Sequence, residues 1–266
     1  MFDSFNRQIN YLRISVTDRC NLRCVYCMPE DGVRQLQHNE ILSFEEITNV
    51  AYTAVKLGID KIRITGGEPL VRKGIVSLVE MLADIPGIRD LSMTSNGTLL
   101  KQFAQPLKNA GLMRVNVSLD TLDPARYRIL TRGGDLQQVL EGIMAAREAG
   151  LTPIKINCVV KSSSREQDAL EVAAYCEENG LEIRFIHQMS LTEGHFSVVE
   201  GGSGGDCSHC NRIRLTASGK LLPCLFSGIE YDIRKMGAEQ AIRAAIANKP
   251  ACGSMNLKGE FYNIGG

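Results

Sequence analysis

The stretch Cys20-Asn21-Leu22-Arg23-Cys24-Val25-Tyr26-Cys27 places three thiols within eight residues, just after a run, Tyr11 to Val16, that alternates like a strand. Thiols at CxxxCxxC spacing are too close to be independent core cysteines and too few to close a tetrahedral four-ligand site. One coordination position stays open. Thiolates are the ligands that iron-sulfur clusters prefer, so three of them on one loop can hold three irons of a [4Fe-4S] cluster and leave one iron for another ligand. Half of a zinc site, completed by a distant side chain such as His38, is the competing reading of the spacing.

Outward from this loop, strand and helix patterns alternate from about residue 10 to residue 187. Strands are predicted over Tyr11 to Val16, Lys61 to Thr65, Asp90 to Thr94, Met113 to Leu119, Pro153 to Val160 and Leu181 to His187. Helices are predicted over Phe44 to Leu57, Ile75 to Ala83, Leu99 to Ala110, Leu136 to Ala149 and Glu166 to Asn179, with Ser43 and Glu46 as a capping box. Six such units give an α/β fold, an incomplete (β/α)6 TIM-type barrel with a cleft and a small C-terminal iron-sulfur extension. The expected divisions are a partial barrel over 1–189, a shortened Gly/Ser-rich linker over 190–206, and an extension over 207–266.

Alternate residues of a strand face opposite sides. Leu12, Ile14 and Val16, Ile62 and Ile64, Val115 and Val117, Ile154 and Ile156, and Ile183 and Phe185 should pack under the helices. The opposite face is then polar, and it carries Arg13, Lys61, Arg63, Lys155 and Arg184 with few acids in the same positions. Burying unpartnered cations is costly, so such a lumen must either pair with acids, Glu68 and Asp120 being candidates, or wait for an anion. Function in these barrels gathers at the carboxyl ends of the strands, which here read Thr65-Gly66-Gly67-Glu68-Pro69, Thr94-Ser95-Asn96-Gly97 and Val117-Ser118-Leu119-Asp120. Adjacent glycines allow close backbone approach, and Glu68 could receive an ammonium group.

Beyond residue 187 the repeat stops. Cys207 and Cys210 form a CxxC, and after the turn Ala217-Ser218-Gly219-Lys220 comes Cys224, a second three-thiol set. Spacing alone leaves zinc open here, with His209 as fourth ligand. Arg212 and Arg214 share a face of the strand leaving this group, and so much positive charge suits a polyphosphate. Cys158, Cys176 and Cys252 fall outside both groups; the first two lie in apolar patterns and read as small buried hydrophobes.

Composition sets the outer bounds. Lys plus Arg number 30 and Asp plus Glu number 30, so no net charge draws the chain to nucleic acid or to a membrane surface. Nine cysteines, mostly clustered, fit metal binding in a reducing compartment better than disulfides. No apolar run approaches the roughly 18 residues of a membrane span, and Met1 to Arg7 lacks an apolar signal core, so a cytoplasmic protein is expected.

CxxxCxYC after a strand is similar to the signature of radical S-adenosylmethionine (SAM) enzymes, in which SAM chelates the open iron, and GGEP resembles their motif for the methionyl amine. With CNLRCVYCMP, IRITGGEPL, TSNG, NVSLD, EIRF, CSHCNRIRLTASGKLLPCLFS and the terminal Gly265-Gly266 in view, the chain closely resembles the molybdenum cofactor biosynthesis enzyme A family, the GTP 3',8-cyclases. The resemblance covers residues 8–189 and 207–229. It implies two [4Fe-4S] clusters and SAM as cofactors, one cluster on Cys20, Cys24 and Cys27 and one on Cys207, Cys210 and Cys224. It implies SAM contacts at Tyr26, Gly67, Glu68, Ser118 and Met189, and GTP contacts at Arg13, Lys61, Arg63, Thr94, Lys155, Arg184, Arg212 and Arg214. A tail ending in Gly265 and Gly266 would reach in beside Arg13 to act in catalysis. The free iron of the second cluster would bind the guanine ring, which weighs against zinc.

The implied lyase chemistry is reduction of SAM to a 5'-deoxyadenosyl radical, loss of the C3' hydrogen of GTP, and closure on C8 to give 3',8-cyclo-7,8-dihydro-GTP. The implied partners are GTP, an external one-electron reductant and a downstream cyclic pyranopterin monophosphate synthase; a homodimer is left open. Two departures stand out. Only seventeen residues separate Met189 from Cys207, including Gly201-Gly202-Ser203-Gly204-Gly205, where the family usually has several times that number. The run reads as a flexible coil, an engineered linker or a natural shortening, that should uncover the barrel's open side and bear on substrate sequestration. His187-Gln188 stands where the family usually has an acid and an apolar residue, which loosens the expected purine selectivity. A radical SAM peptide maturase and a catalytically impaired cyclase homologue are the alternative readings.

Overall fold

Why these residues form these elements is plainest in the first unit. In the computed structural model, which describes residues 1–257, the apolar and basic alternation of Tyr11–Ser15 forms β1 and that of Lys61–Thr65 forms β2. Helix α1 (Phe44–Lys56) joins them, burying Ile47, Val50, Ala51 and Ala54 at helical spacing. The predicted capping box starts it: Glu46 N donates to Ser43 Oγ at 3.2 Å and Ser43 N to Glu46 Oε2 at 2.7 Å. A cap of this kind contributes about 1 kcal/mol.

The pattern continues through α2 (Ile75–Ala83), β3 (Asp90–Ser95), α3 (Leu100–Asn109), β4 (Arg114–Ser118), α4 (Pro124–Leu130), α5 (Leu136–Glu148), β5 (Lys155–Val160), α6 (Gln167–Glu178) and β6 (Glu182–His187). The six strands and five long helices fall within two residues of their predicted ends. Only α4 was not foreseen. Its seven residues are too few for a periodic signal, although Asp123 caps it and Pro124 takes its first position.

The extension adds β7 (Arg212–Leu215), β8 (Lys220–Leu222), β9 (Tyr231–Asp232), α7 (Ile233–Met236) and α8 (Ala238–Ala247). The sheet runs β6-β5-β4-β3-β2-β1-β7-β8-β9. It is not closed into a barrel by hydrogen bonds, because β7 pairs in parallel with the free edge of β1 and β8 and β9 follow antiparallel. The extension is therefore part of the sheet. Its Ile213, Leu215, Leu221, Ile233 and Ile242 join one apolar core with the βα units.

The two faces separate as the alternation requires. Leu12, Ile14, Ile62, Ile64, Val115, Val117 and Ile156 are fully buried beneath the helices. On β6 the same face is only half-buried, since it is an edge strand. One expectation about the opposite face fails. Acids do stand among the lumen cations: Arg114 forks onto Asp90, its Nε 3.0 Å from Oδ1, and Lys155 pairs with Glu182 from the adjacent strand.

Residues 190–206 cross the gap between β6 and β7. Phe185 and Glu200 exchange two backbone hydrogen bonds at 3.1 Å, and Arg212 Nη2 donates to Ser203 O at 3.0 Å. The Gly-Ser run is thus a strap on the barrel's open side. Among the described residues no helix is long and apolar enough to cross a membrane.

Candidate active site

The first cysteine group hangs on a loop docked at both ends. Arg23 N and Val25 N donate to Thr131 O and Leu130 O at 3.2 and 2.9 Å, and Cys27 N and Met28 N turn back onto Cys24 O. Asn96 reaches it from the end of β3, its Nδ2 2.9 Å from Asn21 Oδ1 and 3.8 Å from Cys20 Sγ. Burial raises the three thiols to about 11, 12 and 11 for Cys20, Cys24 and Cys27, with the Glu68 carboxylate adding to Cys20 and the Asp120 carboxylate to Cys24. The set is all sulfur, desolvated and held by neutral donors, and so fits a metal-sulfur group that would supply the positive charge the thiolates need.

Gly66 and Gly67 serve this loop. A Cβ on Gly67 would lie 2.3 Å from Arg19 O, and Gly67 N donates to Thr17 O at 2.7 Å. The pair lets β2's end press against the backbone leading into Cys20. Glu68 is 1% exposed and accepts from Leu70 N, Ser95 Oγ and Asn96 N at 3.0, 2.9 and 2.6 Å. Three acceptor positions of the carboxylate are thus taken by the chain itself. Burial lifts its pKa to about 7.

Where Val25 and Tyr26 leave this loop opens a cavity of about 420 Å³, walled by them and by Asp120, Arg126, Val159 and Gln188, among others. Tyr26 Oη donates to Asp120 Oδ2 at 2.7 Å, and Val159 N to Asp120 Oδ1 at 2.8 Å. Burial raises Asp120 to about 6. Sequence reading treated Asp120 as a strand-end acid and a candidate partner for a lumen cation; its role as the brace of Tyr26 needed the β4–β5 pairing to appear.

A second cavity, of about 340 Å³, is lined by Arg13, Lys61, Arg63, Arg184, Arg212 and Arg214 together with Cys207, Cys210 and Cys224. Six of the eight expected substrate contacts and all three distal thiols therefore meet in one hollow. Strand register explains it: Arg13 lies between Arg63 and Arg214, and Tyr11 between Lys61 and Arg212. The Tyr11 ring lies 5.5 Å from the Arg63 guanidinium and 5.7 Å from that of Arg212. Burial, with Arg214, Arg63 and Arg212 as like charges, pushes Arg13 well below the usual arginine range; burial and Arg212 push Arg214 to about 10.

Thr94 and Lys155 do not line it. Lys155 is committed to Glu182, and Thr94 Oγ1 is buried on β3 with no hydrogen-bond partner among the described residues. Met189 lines the basic cavity and the adjacent Gln188 the other, while Asn157 and Val159, on one face of β5, are split the same way. The two cavities thus border neighbouring positions of β5 and of the segment that follows β6. Gly67 and Ser118 line neither. Gly265 and Gly266 lie outside the described residues.

Three features escaped sequence reading. Lys249, 3% exposed, donates Nζ to Arg212 O and Pro223 O at 2.7 and 2.6 Å, and nothing in its local sequence announced it. Phe196 of the strap stacks on Phe226 at 4.4 Å as a cavity wall. Cys252, left outside both groups, lies with Sγ 3.0 Å from Cys207 Sγ. His209, considered as a zinc ligand, instead turns Nδ1 to Asp206 Oδ2 at 2.8 Å with its side chain 80% exposed. Cys158 and Cys176 are buried, as expected.

A thiol-bearing loop on an open α/β sheet with a cavity beside it defines a class, and comparison agrees: the Radical SAM superfamily profile matches residues 14–186, and the Molybdenum Cofactor Synthesis C profile matches residues 160–254. The solved structure of Streptococcus suis SuiB bound to S-adenosylmethionine superposes with a TM-score of 0.67 at 16% identity, covering 86% of this chain and 64% of that one. Methylornithine synthase (PylB) gives 0.56 at 15% identity, covering 76% and 61%. Within the superfamily the chain belongs to the GTP 3',8-cyclase family. The chain is 46% identical to the GTP 3',8-cyclase of Thermodesulfovibrio yellowstonii over 282 residues, covering 89% of this chain and 88% of that one. It is 45% identical to that of Moorella thermoacetica over 294 residues, covering 92% and 91%. Those alignments are longer than this chain, so the relatives carry residues that it lacks.

Proposed function

We propose that the chain is a lyase that converts GTP to 3',8-cyclo-7,8-dihydro-GTP, the first step of molybdenum cofactor biosynthesis. The observation that carries this reading is the basic hollow in which six cations meet the distal thiols, with Tyr26 and Asp120 walling a second cavity that borders the same strand, β5. Cys20, Cys24 and Cys27 would hold one [4Fe-4S] cluster, and Cys207, Cys210 and Cys224 a second. With SAM bound, the first cluster supplies one-electron reduction and a 5'-deoxyadenosyl radical.

The chain's own residues do the rest. Arg13, Lys61, Arg63, Arg184, Arg212 and Arg214 clamp the triphosphate, and bidentate guanidinium forks fix its orientation as well as its charge. Thr94 offers a buried hydroxyl, and Lys155 would have to leave Glu182 to join the clamp. Asp120 holds Tyr26 at the SAM side; of the other proposed SAM contacts Met189 would reach in from the basic cavity it lines, Ser118 and Gly67 would approach from the ends of β4 and β2, and Glu68 stiffens the turn that carries Gly67. The strap, with Phe196 against Phe226, keeps water from a site in which a carbon radical must survive.

An external one-electron reductant, a reducing cytoplasm and a downstream cyclic pyranopterin monophosphate synthase complete the proposal. The peptide-maturase reading has no support in the fold likeness to SuiB, which at 16% identity concerns architecture alone, and a peptide needs no six-cation clamp. The test is anaerobic reconstitution with SAM, a strong reductant and GTP deuterated at C3'. Deuterium in 5'-deoxyadenosine and a cyclised nucleotide are expected. 5'-Deoxyadenosine without deuterium transfer would sink the cyclase assignment, and none above a Cys24→Ala control would leave an impaired homologue.

A further inference from the structure

The basic cavity has an apolar wall, and part of that wall comes from the strap. Met189, Phe196, Leu225 and Phe226 line the cavity together with Cys224, and they pack with Leu191 and Leu222 in a small apolar cluster separate from the main core. A triphosphate clamped by six cations has no use for such a surface. A flat ring does.

Phe196 is held in place from several sides. Ser190 and His195 exchange two backbone hydrogen bonds at 2.9 Å, closing a turn just before it, and the Phe185–Glu200 pair fixes the chain just after it. Gly194, in that turn at φ 69°, comes so near the segment after α8 that a Cβ on it would lie 1.8 Å from Ser254 O. From the same segment Asn256 donates its backbone N–H to Leu191 O at 2.8 Å and its Nδ2 to Leu225 O at 3.1 Å. The turn is thus tied to the stretch that carries Phe226. The two rings stack with centroids 4.4 Å and planes 29° apart, yet Phe196 stays only half-buried, with its ring on the cavity.

We propose that Phe196 is a base-stacking residue: the purine of the nucleotide lies against its ring while the cations of the same cavity hold the triphosphate. The proposal rests on reading that cavity as the triphosphate site. Phe196 lies in the short segment by which this chain departs from the family pattern, so the contact is not one that the resemblance implies. Stacking on an aromatic ring is tolerant of what the base carries at its edge. Phe196 therefore favours a nucleotide over a bare polyphosphate without choosing among purines, and the edge of the base stays free to meet a metal on the distal thiols. The strap is then one wall of the base site as well as its cover.

The chain contains no tryptophan, so Phe196→Trp places a single indole reporter at the contact. In the anaerobically reconstituted full chain without reductant, GTP is expected to quench the emission of that tryptophan, and inorganic tripolyphosphate to leave it unchanged while displacing GTP. Equal quenching by tripolyphosphate, GTP binding with no change in emission, or quenching by SAM in place of GTP overturns the proposal. Phe196→Leu keeps an apolar side chain against Phe226 and supplies a second reading. Its GTP affinity in equilibrium dialysis should fall about tenfold with tripolyphosphate affinity unchanged, whereas Phe196→Tyr should bind GTP as the parent chain does. Equal losses for both ligands would mark a structural role and sink the base contact. If neither ligand binds the parent chain, the triphosphate reading of the cavity falls and this proposal with it.

Discussion

The two cysteine groups share a three-thiol motif and differ in almost everything around it. Cys20, Cys24 and Cys27 sit on one short loop, and the charges acting on Cys20 and Cys24 are the carboxylates of Glu68 and Asp120. Cys207, Cys210 and Cys224 come from two arms of a hairpin, and burial of Cys210 is outweighed by Lys249 and Arg212, which hold its thiol below the usual range. The difference sorts ligands by charge. A sulfonium with its ammonium group is at home beside buried carboxylates; a triphosphate is at home among arginines. The charges around the two groups thus differ in the sign of ligand they favour.

The contrast breaks most visibly at the ligands. Cys24→Ala should abolish 5'-deoxyadenosine release from SAM, whereas Cys207→Ala should keep that release and lose conversion of GTP, as chromatography of quenched reactions would show. If both variants lose both activities, the groups are not separable. A step smaller, Arg63→Ala should weaken GTP binding by about 1.5–3 kcal/mol, the range for hydrogen bonds to charged groups, with SAM affinity unchanged in anaerobic calorimetry. Asp120→Asn should do the reverse by about 1–2 kcal/mol, since Tyr26 Oη loses a charged acceptor and GTP does not. A matched loss of both ligands in either variant would show the cavities to be one site.

The smallest effect is in pH. Burial raises Glu68 from 4.5 to about 7 and Asp120 from 3.8 to about 6. Below the unfolded values both states hold the proton; as pH rises toward the folded values the unfolded chain releases it first, so stability falls across that window and levels above about 7. The Tm of the metal-free chain should therefore drift down from pH 5 to 7, by about 2–4 °C for each kcal/mol, and Glu68→Gln should flatten the drift. A rising Tm would contradict the burial of these acids.

Most of the sheet was legible because its signal is local. Period-two alternation in Lys61–Thr65 and a capping box at Ser43 report on neighbours a few residues away, and the basic lumen followed from parity alone. What failed to show was nonlocal. Lys155 looked available until β6 brought Glu182 beside it, Gly201 to Gly205 looked like a free coil until Glu200 bridged Phe185, and Cys252 has no motif linking it to Cys207 45 residues earlier. Polar partners across long separations carry no period.

The place of β7 has a consequence for how the chain comes into being. β1 is made well before the strand that covers its second edge, Arg212–Leu215. Until the ribosome has delivered that strand, the nascent sheet shows a bare row of amides and carbonyls next to Arg13, an invitation to pair with another chain. Protein ending before residue 207 should accordingly aggregate, and delivery of Arg212–Leu215, rather than completion of the sixth βα unit, would mark the moment at which the fold becomes safe.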